Sequence, residues 1–109
     1  MSIIKLKKFN MKATFQDLID PETPTIIDFF ATWCGPCRMV TPILDELKKD
    51  LGDNVRIFKI DVDQNQALAA QYNVRSIPTI MIFKDGELKW RETGVQSKVK
   101  LKSVLEGIV

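Results

Sequence analysis

The chain has 109 residues, 45% of them hydrophobic, which is enough apolar material for one core and sets the expectation of a single domain over residues 1–109. Sixteen Lys and Arg stand against 14 Asp and Glu, a formal net charge of +2, so the dense basic face of a nucleic-acid or membrane binder is missing. No apolar run approaches the roughly 18 residues needed to cross a membrane.

Short β-like runs alternate with helix-like segments along the chain. Ile3 to Leu6 reads as a strand. From Asn10, taken as the N-cap, a helix is expected to Asp20, with Phe15, Leu18 and Ile19 at helical spacing. Pro21 and Pro24 end it. Thr25 to Phe30 is almost continuously apolar, the pattern of a strand buried on both faces of a sheet. The next helix repeats Cys37, Val40, Leu44, Leu47 and Leu51 at spacings of three and four, contains Pro42, where a kink is expected, and closes at Gly52. Val55 to Val62 reads as a strand, Gln66 to Tyr72 as a short helix, and Ile80 to Phe83 as a further strand. Asp85-Gly86 then marks a hairpin into a strand over Leu88 to Thr93. A last helix from about Ser97 carries Leu101, Val104, Leu105 and Ile108. The order β-α-β-α-β-α-β-β-α predicts an α/β fold: a central mixed sheet of about five strands flanked by four helices.

Lysines cluster at Lys5, Lys7 and Lys8 and at Lys98, Lys100 and Lys102, but acids punctuate the chain elsewhere, so these read as solvated faces. The N-terminal stretch from Met1 to Lys8 lacks the apolar core of a secretory signal. Together with the initiator Met, this sets the expectation of a cytoplasmic protein, in whose compartment thiols stay reduced.

Both cysteines of the chain fall within Trp33-Cys34-Gly35-Pro36-Cys37. A structural zinc site needs four ligands, and two thiolates in a chain without histidine do not supply them. A structural staple is weak, because closing so short a loop stabilises by only about 2 kcal/mol in the chain-entropy model. A redox pair fits best. Cys34 falls where the strand gives way to a helix, and the exposed N–H groups and positive dipole of a helix start favour its thiolate. Cys37, a turn later on the apolar stripe, is expected to be the more buried sulfur, which suits a resolving thiol. Gly35 lets another backbone approach, and Pro36 suits a first helical turn because its missing N–H has no partner there. Gly-Pro adds no charge between the sulfurs, so a reductant is expected rather than an oxidant or isomerase.

The motif Trp33-Cys34-Gly35-Pro36-Cys37 resembles that of the thioredoxin family. So do Asp28, Pro42, Lys59, Asp61, Ile77-Pro78-Thr79, Phe83, Gly86 and Gly94, in a match over nearly the whole chain. The resemblance implies a thioredoxin fold and a protein-disulfide reductase without a cofactor, a monomer that takes electrons from NADPH through a separate, flavin-containing thioredoxin reductase. Disulfide-containing client proteins would be its partners, with no nucleic acid and no membrane. Cys34 would attack a client disulfide and Cys37 would resolve the mixed disulfide. Asp28, alone among apolar neighbours, would be desolvated and act as proton acceptor for Cys37; the plainer reading is a carboxylate at the sheet edge reaching water or paired with Lys59. Lys59 either tunes Asp28 or snorkels to solvent. Pro78 would be cis, opposite the sulfurs, with the Ile77 backbone holding an extended client segment by strand addition. Trp33, Val62, Ile77, Gly94 and Val95 would form a flat docking surface around Cys34. Phe30 departs from the family pattern, where a second tryptophan is common. Ser76 and Thr93 stand at variable rim positions, and Trp90 reads as packing. A non-catalytic thioredoxin-fold binding subunit is the alternative function.

Overall fold

The computed structural model describes residues 4–6 and 14–108. They run β1 (Ile4–Leu6), α1 (Phe15–Ile19), β2 (Thr25–Phe30), α2 (Cys37–Leu51), β3 (Arg56–Asp61), α3 (Gln66–Gln71), β4 (Thr79–Lys84), β5 (Glu87–Thr93) and α4 (Lys98–Ile108), with a 3₁₀ turn at Gly52–Asn54 after α2. This is the predicted order. The five strands form one sheet in the order β1-β3-β2-β4-β5. β3 pairs in parallel with β1 and β2, whereas β2–β4 and β4–β5 are antiparallel, so the sheet is mixed.

All six residues of β2 are buried, as its almost continuous apolar run predicts for the central strand. Its side chains alternate between two cores. Ile26 joins Val40, Leu44 and Leu47 of α2 and Leu101 and Leu105 of α4 on one face. Ile27 and Phe29 join Phe15 and Ile19 of α1 on the other, where Leu68 and Tyr72 from the α3 region also pack. Trp90, opposite Ile82 on β5, lies half-buried against the first core, in keeping with a packing role.

Element ends follow from local chemistry. Thr14 caps α1: its hydroxyl accepts from Asp17 N at 3.3 Å while the Asp17 carboxylate accepts from Thr14 N at 3.2 Å. Asn10, expected as that cap, lies outside the described residues, as do Ile3, Lys7 and Lys8. α2 runs on through Pro42 and ends at Gly52, whose φ of 53° is open to glycine, with its N–H donating to the Lys48 carbonyl. Asp85 and Gly86 both have positive φ, 55° and 79°, the primed turn that Asp-Gly selects. The Gly86 and Asp85 N–H groups donate to the Ile19 and Pro21 carbonyls, tying the hairpin tip to the end of α1. Ser97 Oγ accepts from Lys100 N at the start of α4. Lys98 reaches Asp50 of α2 at 2.9 Å, so part of the basic cluster is spent on an ion pair between helices.

This topology gathers the site. β2 and β3 run in parallel, so both their C-terminal ends, Phe30 and Asp61, lie at the same end of the sheet. β4 runs the other way and brings its start, Thr79, there opposite Phe29, while β5 ends beside it with Thr93 opposite Thr79. The loops holding Cys34, Val62, Pro78 and Gly94 therefore converge although they are distant in sequence. Ligand sites favour this position, beyond the carboxyl ends of strands.

Candidate active site

Cys34 and Cys37 are joined as a disulfide, with their Cα atoms 5.4 Å apart. α2 begins at Cys37, not at Cys34, and Pro36 is its N-cap. Cys34 therefore sits in the preceding turn. The chain winds into the helix through tight bonds from Cys34 N to Ala31 O, Arg38 N to Gly35 O and Met39 N to Pro36 O, each three residues back. Pro36 has no N–H to offer, so the first free helical donor is Cys37 N, and it points at Cys34 Sγ at 3.3 Å. The first donor of the helix thus faces Cys34, although the helix begins three residues further along than the sequence suggests. Cys34 is 5% exposed and Cys37 2%, so Cys37 is the deeper sulfur and both are largely enclosed. A Cβ on Gly35 would meet nothing within 4 Å, so nothing in the free chain demands glycine there.

Asp28 follows Ile26 on the face of β2 that lies beneath α2. Lys59 is its register neighbour on β3 and Ile80 on β4. The carboxylate is fully buried, and neither oxygen accepts a hydrogen bond. Lys59 Nζ lies 3.7 Å from Oδ2, an ion pair without a full hydrogen bond. Desolvation dominates and raises the Asp28 pKa from 3.8 to about 7, with Lys59 pulling against it. Lys59 is itself buried. Its ammonium donates to Thr41 Oγ1 and stands 4.8 Å from the centroid of the Phe30 ring. It is turned inward to Asp28 rather than snorkelling outward. Cys37, Thr41, Lys59, Arg38 and Phe30 line a cavity of about 160 Å³ beside the disulfide.

On the other side of the sulfurs, the Ile77–Pro78 peptide is cis and the Ile77 carbonyl oxygen lies 3.9 Å from Cys34 Sγ. Val62 and Ile77 pack partly buried against Phe30, Ala31 and the two cysteines. Gly94 N donates to the Pro78 carbonyl at 2.8 Å, which ties the end of β5 to the cis segment and sets Val95 beside it, exposed. Trp33 is 69% exposed, yet its indole N–H donates to Asp63 at 2.8 Å, which fixes the ring beside Cys34. The candidate catalytic and docking residues predicted from sequence thus gather toward one end of the sheet.

Two contributors escaped the sequence reading. Asp63 is one: it lies two residues past β3, in the loop where site residues collect, and that position was its only signal. The other is Thr41, four residues after Cys37 and so on the same helix face.

A family model described as Thioredoxin matches residues 5–107. The chain belongs to the thioredoxin family. It is 47% identical over 92 residues to a thioredoxin of Rickettsia typhi, covering 84% of this chain and 85% of that one. It is 44% identical over 95 residues to thioredoxin 1 of Synechococcus elongatus, covering 86% and 89%. The solved structure of a mutant thioredoxin from Halobacterium salinarum superposes with a TM-score of 0.81 at 36% identity, covering 95% of this chain and 89% of that one. The protein is accordingly a thiol–disulfide oxidoreductase that reduces protein disulfides by exchange through Cys34 and Cys37. Thioredoxins use the cysteine pair in place of a cofactor and, as a family, have disulfide-bearing clients and a reductase that restores the dithiol. Among the described residues, no group of three or more His, Cys, Asp and Glu is placed to hold a metal ion.

Proposed function

We propose that the site works as a protein-disulfide reductase with divided labour between its two sulfurs. Cys34, as thiolate, attacks one sulfur of a client disulfide. The client's other sulfur leaves as a thiolate and takes up a proton, and a Cys34–client mixed disulfide remains. Cys37 then gives its proton to Asp28 and attacks Cys34 Sγ. The second client sulfur departs, so the client gains two electrons and two protons and the Cys34–Cys37 disulfide is formed. Lys59 tunes the carboxyl. The Ile77–Pro78 segment holds an extended client strand through its main chain, and Trp33, Val62, Ile77, Gly94 and Val95 supply a largely apolar surface with little side-chain selectivity. The open space over Gly35 leaves room for the client backbone.

The observation that carries the division of roles is the hydrogen bond from Cys37 N to Cys34 Sγ, because it stabilises negative charge on one sulfur only. A flavin-containing, NADPH-dependent thioredoxin reductase recharges the pair, and the protein works as a monomer in the cytoplasm, where small thiols keep such pairs reduced. The test is dithiothreitol-driven insulin reduction. Cys34→Ser should abolish it, whereas Cys37→Ser should accumulate mixed disulfides visible on non-reducing gels. Activity in Cys34→Ser, or trapping by Cys34→Ser instead of Cys37→Ser, reverses the assignment.

A further inference from the structure

Thr41 lies one helical turn beyond Cys37 on the face of α2 that looks down on the sheet. Its Oγ1 accepts a hydrogen bond from Lys59 Nζ, the same ammonium that stands 3.7 Å from Asp28 Oδ2. Thr41, Lys59 and Cys37 line one cavity. A charge-assisted hydrogen bond between ammonium and carboxylate would close to about 2.8 Å. The observed separation stops short of that, and Thr41 lies on the α2 side of the ammonium.

The geometry points to Thr41 as a positioning residue: its hydroxyl anchors Lys59 Nζ toward α2, short of a direct hydrogen bond to Asp28, and so leaves the Asp28 carboxyl able to take up a proton. This rests on the proposed role of Asp28 as acceptor for the Cys37 proton. The other groups facing Asp28 do not supply this control. β4 sets apolar Ile80 opposite it, and α4 adds apolar Leu101 and Leu105 to that face. From α2, Cys37 is held in the disulfide, while the Arg38 guanidinium is turned to the Thr32 carbonyl at 3.3 Å. Lys59 is the cation paired with Asp28, and on the α2 side it donates to Thr41. With an effective dielectric of about 20, drawing Nζ from 3.7 Å to about 2.8 Å strengthens the attraction enough to lower the Asp28 midpoint by about one pH unit.

The test is titration of the Asp28 carboxyl carbon by NMR in the oxidised protein, together with the pH profile of insulin reduction. Thr41→Val and Thr41→Ala both remove the hydroxyl; Thr41→Ser keeps it. The two hydroxyl-free variants should titrate Asp28 about one pH unit lower than wild type, with the pH profile moving the same way, and Thr41→Ser should restore both. A midpoint unchanged or raised in Thr41→Val and Thr41→Ala overturns the anchoring role, as does a Thr41→Ser variant that shifts as far as they do. Asp28→Asn separates this from the reading beneath it. Should Asp28→Asn reduce insulin at the wild-type rate and with the wild-type pH profile, the acceptor role falls, and the NMR midpoints alone decide the anchoring.

Discussion

Asp28 should make the oxidised protein less stable as pH rises. Its carboxyl is fully buried without a hydrogen-bond partner, and its pKa is raised by desolvation from 3.8 to about 7. Below pH 3.8 the group carries its proton whether the chain is folded or not, and it adds nothing. Between 3.8 and about 7 only the folded state keeps the proton, so stability falls with each step in pH. Above about 7 the group is ionised in both states and the full penalty stands. At about 1.4 kcal/mol per pH unit, the total is about 4 kcal/mol, a large share of the 5–15 kcal/mol or so typical of a folded domain. The substitution to make is Asp28→Asn, which keeps the shape and removes the titration. The assay is urea unfolding of oxidised wild type and variant from pH 4.5 to 8.5, with the cysteines held in the disulfide so that they do not titrate. The stability difference should grow in favour of Asp28→Asn as pH rises to about 7 and then level off, and the remaining carboxylates, common to both proteins, cancel. A difference that stays flat across this range, or that moves in favour of wild type, refutes the burial argument for Asp28.

Asp63→Ala should release the Trp33 indole and raise KM for protein disulfides by roughly two- to fivefold, the equivalent of losing about 0.5–1 kcal/mol of hydrogen bonding. Reduction of a small aromatic disulfide should change little, and steady-state kinetics on both substrates makes the comparison. Gly86→Ala should cost about 1–2 kcal/mol, because an L side chain is strained at positive φ. Its Cβ would also come within 3.1 Å of Asp20 Oδ1. Thermal unfolding should show a fall in Tm of roughly 5–10 °C, with a smaller fall for Gly86→Asn, since Asn tolerates that conformation better.

The chemistry of this site rests on a contrast between its two sides. Around the sulfurs, backbone groups dominate: Cys37 N points at Cys34 Sγ, and the Pro78 carbonyl, accepting from Gly94 N, ties down the facing segment. Beneath them, Asp28 and Lys59 are buried side chains whose interaction is modulated by distance and desolvation. In the proposed docking mode, a backbone-built rim suits many client sequences, because every peptide offers the same main-chain donors and acceptors.

The sequence by itself determined the elements and the reactive pair. The apolar run of β2, the period of α2, the Asp-Gly turn and the Cys-Gly-Pro-Cys spacing are local patterns, and local sterics and hydrophobic periodicity suffice to read them. The family motifs extended this to Asp28, Pro78 and the residues proposed for docking. Only the tertiary structure decided where α2 begins, because that depends on which N–H groups find partners in the tight turns before Cys37. It also decided that Lys59 turns inward, a choice between solvent and a buried carboxylate that no single stretch of chain encodes. Asp63 beneath Trp33 and Thr41 above Lys59 became visible for the same reason: their partners are 30 and 18 residues away, and only the convergence of parallel and antiparallel strand ends at one end of the sheet brings them together.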